Sequence, residues 1–373
     1  MRAHRLSPTA LALSADEATA FTVSKDGSIL KWDVETMQRT QLAARAAAAA
    51  AAGTAADWVQ KGPRMNPTSS LLAAAVSSDG KFLAVGGGDK MVHVFEAGSG
   101  AHVQSYPGHR DQVSGLAFRD GTHTLYSSGF DRTVKMWSLD DGAYVDTLFG
   151  HQAEVFALDA ARAERVVSVG HDHTCRLWKI PEESHLVFRS PSMAQYAVSY
   201  VTGNEWVSGG ADGSLQVWNT LKKKPQSVYR GAHVSRGSSS SSSEPAADAD
   251  AAAAAALPST GSWSTAGVDT PGWIQSIAAC KGSEVVASGA GDGFIRLWAL
   301  QPSRHGGAGA LKPVGALPAA GFVNGLALGR SGMLCVAALG QEPRLGRWGR
   351  VGNARNGLLV HRWELSDEAG SDE

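Results

Sequence analysis

Histidine, serine and aspartate recur together in this sequence at spacings that could support nucleophilic catalysis. Two sets share a histidine 21 or 22 residues before an aspartate and a serine four residues before that aspartate: His109, Ser127 and Asp131, and His151, Ser168 and Asp172. A catalytic triad is defined by geometry rather than by residue type. Neither serine lies in a nucleophile-elbow motif, and the set repeats with a structural period. We therefore predict structural hydrogen-bond networks and a protein that is not an enzyme.

The period belongs to a short motif in which an acidic residue precedes a large aromatic residue by six positions. The motif occurs seven times: Asp26–Trp32, Asp89–Phe95, Asp131–Trp137, Asp172–Trp178, Asp212–Trp218, Asp292–Trp298 and Glu342–Trp348. Aspartate favours a tight turn because its side chain bonds the nearby backbone. The residues that follow alternate between apolar and polar, as in a half-buried strand. With the flanking strands, each unit has four strands and a period of about 40 residues. The sequence predicts an all-β fold, a seven-bladed WD40 β-propeller.

Three gaps between successive motifs are longer than this period, and each contains a low-complexity tract rich in Ala, Ser or Gly. Such tracts cannot bury enough varied apolar surface to offset the entropy lost on ordering. We expect disordered loop insertions at about residues 43–56, 234–270 and 302–312 of a propeller domain that spans residues 1–365. Residues 366–373 are expected to form a disordered acidic tail.

Three repeats carry the residues of a buried polar network. The sets are His4–Thr22–Asp26–Trp32, His109–Ser127–Asp131–Trp137 and His151–Ser168–Asp172–Trp178. In each set the aspartate would fix one imidazole tautomer, and the indole N–H would donate to a buried acceptor. Repeats five and six lack the histidine, with Ser190 and Thr270 near the matching positions. Repeat two has Val85 in place of the hydroxyl, and repeat seven has Ala338 and Glu342. We expect these four blades to depend on apolar packing between neighbours.

Composition restricts the function classes. The chain has 373 residues and a formal net charge of −1, which excludes a uniformly basic coat but leaves room for a local basic patch. No apolar run is long enough to cross a bilayer, so no membrane partner is expected. The widely spaced Cys175, Cys280 and Cys335 argue against a disulfide framework and should pack as small apolar residues. His171 and His173 have no third ligand nearby, and no phosphate-binding glycine motif has the required context. We expect no metal, no cofactor and no small-molecule substrate.

Basic residues gather in or beside the turns that carry the acidic residue of the motif. The set contains Lys25, Lys90, Arg110, Arg132, Arg344, Arg347, Arg350 and Arg355. They come from repeats one, two, three and seven, which adjoin once a ring closes. The expected result is a positive potential over one sector of one face. The alternative is that some of these cations pair with local acids or cap loops.

Several strings go beyond the generic repeat and resemble the family of U3 small nucleolar RNA-interacting WD-repeat proteins. They lie at residues 108–128, 147–152, 180–184, 340–348 and 353–356. The similarity runs from His4 to about Leu359, with interruptions at the low-complexity insertions. The strings in repeats three and seven are specific, because ordinary WD repeats do not carry them.

The resemblance implies a non-enzymatic subunit of the U3 small nucleolar ribonucleoprotein (snoRNP) in the nucleolus. Members of this family bind U3 small nucleolar RNA (snoRNA) at a kink-turn element that already holds a kink-turn-binding protein. With other proteins of the small-subunit processome, the particle supports early cleavages of pre-ribosomal RNA. By this resemblance, Arg344, Arg347 and Arg350 are the first candidates for contact with RNA or its protein partner. Arginine suits such a contact because it binds phosphate in a bidentate manner and stacks on bases.

The alternative function is a generic WD40 scaffold, such as a substrate adaptor for a ubiquitin ligase, which would bind peptides over the central channel. The string at residues 340–348 favours the first function over the second.

Overall fold

Short antiparallel strands account for nearly all the regular structure. A computed structural model describes residues 3–42, 69–191, 193–233, 272–302 and 308–363, and these form 27 strands and one three-residue 3-10 turn, Ile180–Glu182. The strands group into seven separate sheets, which we call blades one to seven in chain order.

Six blades are four-stranded sheets in which consecutive strands pair antiparallel. Blade one contains β1 (Pro8–Leu13), β2 (Thr19–Ser24), β3 (Ile29–Asp33) and β4 (Arg39–Gln41); blade two contains β5 (Leu71–Val76), β6 (Phe82–Gly87), β7 (Met91–Glu96) and β8 (His102–Pro107); blade three contains β9 (Val113–Phe118), β10 (Thr124–Gly129), β11 (Thr133–Ser138) and β12 (Ala143–Phe149). Blade four contains β13 (Val155–Ala160), β14 (Arg165–Gly170), β15 (Thr174–Lys179) and β16 (Ser184–Arg189); blade five contains β17 (Gln195–Thr202), β18 (Glu205–Gly210), β19 (Leu215–Asn219) and β20 (Lys222–Tyr229); blade six contains β21 (Ser276–Ala279), β22 (Val285–Gly289), β23 (Phe294–Pro302) and β24 (Ala308–Pro318).

Blade seven has three strands among the described residues: β25 (Phe322–Leu328), β26 (Leu334–Gly340) and β27 (Gly357–Arg362). The first strands of the blades contact one another in the order β1, β5, β9, β13, β17, β21 and β25, and β1 returns to contact β25 and β26. The blades therefore form a closed ring around a central channel. The prediction of a seven-bladed WD40 propeller is confirmed.

The ring is held together by apolar clusters between neighbouring blades. One cluster lies at each of the seven interfaces; between blades three and four, for example, Tyr126 and Val134 pack with Leu158 and Trp178. Because each blade buries its faces against two neighbours, the core is a ring of contacts rather than one central mass. The three cysteines are free and buried within the blades, as expected.

Residues near the amino terminus join blade one to blade seven. The backbone N–H of Ala3 donates to the carbonyl of Asn356 at 3.1 Å. The Ser7 hydroxyl accepts from the backbone N–H of Glu342 at 2.9 Å, and the side-chain amide of Asn324 donates to the carbonyl of Pro8 at 2.8 Å. These bonds reinforce the interface between the first and last blades, where a ring made from one chain must close.

The structure brings together the polar residues expected in blades three and four. In blade three, Nε2 of His109 lies 2.7 Å from the Ser127 hydroxyl and Nδ1 lies 3.0 Å from Asp131, while the Trp137 indole donates to Ser127 at 2.9 Å. Blade four repeats this arrangement. His151 lies 2.7 Å from the Ser168 hydroxyl and 2.9 Å from Asp172, and the Trp178 indole donates to Ser168 at 2.8 Å. Because each serine hydroxyl is buried and bonded to an indole N–H, it is not placed as a nucleophile.

The polar network of blade one differs from those of blades three and four in the contact between histidine and aspartate. Thr22 contacts Nε2 of His4 at 2.7 Å and accepts from the Trp32 indole at 2.8 Å, as expected. Nδ1 of His4 contacts the hydroxyl of Ser28 at 2.6 Å, and Ser28 in turn donates to Asp26. Asp26 therefore reaches the histidine through Ser28 rather than directly.

The expectation that blade six lacks a histidine is wrong. His233 lies 2.9 Å from Asp292 and 2.8 Å from the Ser288 hydroxyl, which accepts from the Trp298 indole at 2.9 Å. The histidine lies 59 residues before its aspartate because the second insertion separates them. The Gly-Ala-His string ending at His233 is the sequence signal for this histidine, but the ordinary spacing to Asp292 points to Thr270 instead.

Blades two and five also contain polar networks, so apolar packing alone does not describe them. In blade two, His93 on β7 contacts Asp89 at 2.7 Å and Ser105 at 2.6 Å. In blade five, Gln195 is the first residue of β17, and its side chain accepts from the Ser208 hydroxyl at 2.8 Å. These networks use residues at other positions, so the spacing of histidine and hydroxyl in repeat three does not predict them.

The seventh copy of the motif is not a turn and strand. Residues 341–356 form an irregular loop between β26 and β27, and the third strand is Gly357–Arg362. Trp348 lies in this loop and is 54% exposed, unlike the buried tryptophans of the other blades. The six-residue spacing from Glu342 to Trp348 is therefore coincidental.

Two predicted insertions, 43–56 and 234–270, and the tail at 366–373 lie outside the described residues. The third, 302–312, is only partly an insertion, because residues 308–312 belong to β24, which pairs with β23 out to Pro302 and Ala308.

Asp131→Ala should lower the free energy of unfolding by about 1–3 kcal/mol, because His109 and the backbone N–H of Arg110 lose a buried acceptor. Urea denaturation measures this change. Asp111→Ala is the matched control, since Asp111 is exposed and accepts a hydrogen bond from the adjacent backbone N–H of Gln112. This control should change the free energy of unfolding by less than about 0.5 kcal/mol. Equal effects of the two substitutions would contradict a structural role for the network.

Burial lowers the pKa of His151, against the opposing effect of Asp172, and burial lowers the pKa of His4 to about 4. As the pH falls below about 6.5, these histidines take up a proton in the unfolded chain before they do so in the folded one. Their contribution to stability is thus complete above pH ~6.5 and is lost as the pH falls toward the folded-state pKa.

His151→Gln should weaken the fall in unfolding free energy between pH 7 and pH 5. Glutamine removes the titrating group and can still bond a buried serine hydroxyl, as Gln195 does from a different position in blade five. Urea denaturation at several pH values measures the slope for both proteins. A variant with the same pH slope as the parent chain would show that His151 does not titrate on unfolding.

Candidate nucleic-acid interface

The loop at residues 341–356 lies on one end of the ring, which we call the turn face. This face consists of the turns between the second and third strands of the blades, the connections from each blade to the next, and the loop itself. At its centre is a depression of about 640 Å³ over the mouth of the channel, lined by residues of several blades and by residues 344–348.

The loop is a built structure with its own small core. Phe322, Val351 and Ala354 are buried against one another. The side-chain amide of Gln341 donates to the carbonyl of Ala354 at 2.9 Å, and its backbone N–H donates to the side chain of Asn356 at 2.9 Å. The two ends of the loop are thus tied together, and the residues between them project as a fixed unit.

Arg344 points into the channel rather than outward. Its Nε donates to the carbonyl of Leu72 in blade two at 3.2 Å, and its Nη2 donates to the carbonyl of Ser114 in blade three. Its backbone N–H donates to the side chain of Gln275, beside blade six, at 3.1 Å. Burial lowers the pKa of Arg344 to about 10, so the side chain is still charged at neutral pH. The guanidinium is thus engaged with backbone carbonyls inside the ring, and contact of Arg344 with RNA stays a prediction.

Lys25 also holds the loop. Its Nζ donates to the carbonyl of Gly346 at 2.7 Å and lies 3.5 Å from the carboxylate of Glu342. Burial lowers the pKa of Lys25, and the charge of Glu342 partly offsets this effect. The alternative considered for the basic set, pairing with local acids, therefore applies to Lys25.

The remaining cations of the set are exposed. They are Lys90, Arg110, Arg132, Arg347, Arg350 and Arg355. The side chain of Arg347 is 72% exposed and lies 3.6 Å from Glu342, and Nζ of Lys90 donates to the carbonyl of Arg110 at 3.1 Å. These side chains lie in the turns of blades two and three, in the connection between these two blades and in the loop of blade seven, so they share the turn face.

Aromatic residues on the turn face were not found from the sequence. Phe130, Phe156, Tyr196, Trp273 and Trp348 form a continuous series of ring contacts around the channel mouth. Four of them lie in turns or at the ends of first strands, where the strand pattern alone gives no reason to single them out. The fifth, Trp348, is the aromatic residue of the seventh motif copy, which predicts a strand at this position.

Two features are absent from the described part of the chain. Its His, Cys, Asp and Glu side chains form no group of three that could hold a metal ion. Nor do the described residues include a helix with the length and apolar character that a membrane crossing requires.

Comparisons with known proteins agree with this architecture. The family model described as "WD domain, G-beta repeat" matches residues 63–96, 100–138 and 142–179, which places the chain among the WD40 propellers. The human U3 small nucleolar RNA-interacting protein 2 is 39% identical over 364 residues, which cover 96% of this chain and 67% of the relative. A U3 snoRNP-associated protein-like chain of Arabidopsis thaliana is 38% identical over 366 residues, covering 97% of this chain and 70% of the relative.

Two solved structures are similar along nearly the whole length. The structure of U3-55K superposes with a TM-score of 0.79 at 37% identity and covers 97% of each chain. The crystal structure of RRP9 WD40 repeats gives the same TM-score and identity and covers 97% of this chain and 96% of the other. This chain belongs to the family of U3 snoRNP-associated WD-repeat proteins, as the resemblance indicated.

Arg344→Ala should release the loop, because the loop loses its bonds to blades two and three. Hydrogen–deuterium exchange of peptides from residues 341–356 should become faster in this variant. Arg347→Ala, which removes an exposed side chain, is the control and should leave exchange close to that of the parent chain. Unchanged exchange in Arg344→Ala would show that the loop does not need this anchor.

Proposed function

We propose that this protein is a non-enzymatic subunit of the U3 snoRNP in the nucleolus. In this proposal it binds U3 snoRNA together with a kink-turn-binding protein and supports pre-ribosomal RNA processing with other proteins of the small-subunit processome. The observation that carries the proposal is the anchored loop of blade seven, which presents Arg347, Arg350 and Arg355 on the same face as the exposed cations of blades two and three. The names of the relatives, which include the yeast Ribosomal RNA-processing protein 9 at 27% identity, support it.

Physical reasons also favour RNA as the ligand of this face. The net charge of the chain is −1, so a cationic sector is a local feature rather than a consequence of composition. Folded RNA is recognised largely through phosphates, 2′-hydroxyls and shape, which suits exposed arginines on a rigid loop. Within this proposal Arg344 and Lys25 position the loop, and the exposed cations make the contacts.

The second candidate, a peptide-binding adaptor, needs hydrogen-bond partners at the channel mouth. The carbonyls of Leu72 and Ser114, which face that mouth, already accept from Arg344. A peptide would have to displace this side chain. The RNA-binding function requires no such displacement.

Arg347→Ala combined with Arg350→Ala should weaken binding of a U3 RNA fragment that carries the kink-turn and its bound protein. Both side chains are exposed, so the melting temperature should be nearly unchanged. In mobility-shift titrations at several salt concentrations, the slope of log affinity against log salt should become shallower by about one unit for each lost phosphate contact.

The control removes two equally exposed cations, with Lys222→Ala and Lys223→Ala on the outer strand of blade five. This variant should bind the RNA like the parent chain. Equal binding of unrelated hairpins, or an equal loss in both variants, would contradict the proposed function and favour the adaptor.

A further inference from the structure

The aromatic rings on the turn face form an arc that crosses five elements of the ring. Phe130 of blade three lies 5.9 Å from Phe156 of blade four, whose ring stacks on Tyr196 of blade five at 4.6 Å. Tyr196 is nearly parallel to Trp273 at 5.9 Å, and Trp273 contacts Trp348 of the loop at 5.6 Å. We call these five residues the aromatic arc. The arc ends at the most exposed member, Trp348.

Trp348 is held in its exposed position by the loop. Gly346 has a φ of +87°, in the left-handed region, and a Cβ atom there would overlap the Trp348 ring. The ring therefore folds over the backbone at Gly346, and it also contacts the ring of Trp273. The loop is built so that a large aromatic surface stays at the solvent boundary, where it costs free energy unless a ligand covers it.

The surroundings of Trp348 combine apolar surface with positive charge. Arg347 and Arg350 are exposed beside it in the chain. Glu154 is the acidic residue among those that line the depression, and its carboxylate lies 3.7 Å from Nδ1 of His171. The nearby carboxylate of Glu342 lies within 3.6 Å of both Lys25 and Arg347, which offset its charge. A ligand with a flat apolar ring and a negative backbone fits this environment.

We propose that an unpaired base of the bound RNA stacks on Trp348 at the end of the aromatic arc, while Arg347 and Arg350 contact the adjacent phosphates. The proposal rests on the proposed function, because it requires that RNA occupies the turn face. Unpaired bases are commonly recognised by stacking on aromatic side chains, since every base has an apolar face. A peptide ligand is disfavoured, because the channel-mouth carbonyls of Leu72 and Ser114 are already engaged by Arg344.

The test combines a protein change with an RNA change. The probes are the U3 RNA fragment with its bound kink-turn protein and a series of the same fragment in which one unpaired nucleotide at a time is abasic. Trp348→Ala should weaken binding of the intact fragment roughly ten- to hundredfold, and Trp348→Phe should restore most of the affinity. At one abasic position, Trp348→Ala should cause no additional loss, because the stacked base is already absent.

Tyr144→Ala is the matched control, since Tyr144 is 52% exposed on the outer strand of blade three. It should bind every RNA of the series like the parent chain. The inference is overturned if Trp348→Ala binds the intact fragment normally, or if its loss is the same for every abasic fragment, which would make Trp348 a positioning residue. It is also overturned if Trp348→Ala weakens binding to the kink-turn protein without RNA. The proposed function fails separately if the parent chain does not bind the U3 fragment at all.

Discussion

The bonds that Arg344 makes to the carbonyls of Leu72 and Ser114 connect the loop of blade seven to blades two and three. Without them, the loop would still be held by its own core and by contacts with blades one and six and with Asn324 of blade seven. A charged guanidinium can be retained at the channel mouth because it finds backbone acceptors there. Its burial fixes the orientation of the residues that follow, and in the proposed function these residues meet the RNA. One inward arginine thus sets the position of the outward ones.

The ring that supports this loop is made rigid by two kinds of contact. Apolar clusters fill every interface between blades, and most blades add a buried polar network around a serine or threonine hydroxyl. The networks differ in composition, since Gln195 on a first strand and His93 on a third strand supply the hydrogen bonds in two blades. A network stabilises a single arrangement when every member has a partner, whichever residues supply the bonds. The rigid ring allows contacts on distant blades to act as one surface.

The sequence predicts the architecture well because each repeat encodes its own turn, strand alternation and aromatic position. It predicts His109 and His151 because their spacing to aspartate follows the period. It misses His233 because an insertion separates this residue from Asp292, and spacing carries no information across a long insertion.

The candidate site is less predictable. A run of basic residues in the sequence cannot show that the side chain of Arg344 points inward while that of Arg347 points outward. The direction of Arg344 depends on carbonyl acceptors in blades two and three, which are distant in the sequence. The aromatic arc is hidden for the same reason, because its members are far apart in the chain and meet only when the ring closes. The motif predicts Trp348 on a strand, because an aromatic residue six positions after an acidic residue lies on a strand in the other six blades. In blade seven the same spacing occurs by coincidence within a loop.

Ultraviolet crosslinking of the protein to the U3 RNA fragment, followed by identification of the crosslinked peptides, tests the central claim most directly. If the turn face carries the RNA, crosslinks will map to residues 341–356 and to the turns of blades two and three. Crosslinks confined to the opposite end of the ring, at turns such as residues 281–284 and 329–333, or to the outer strands, would contradict the account.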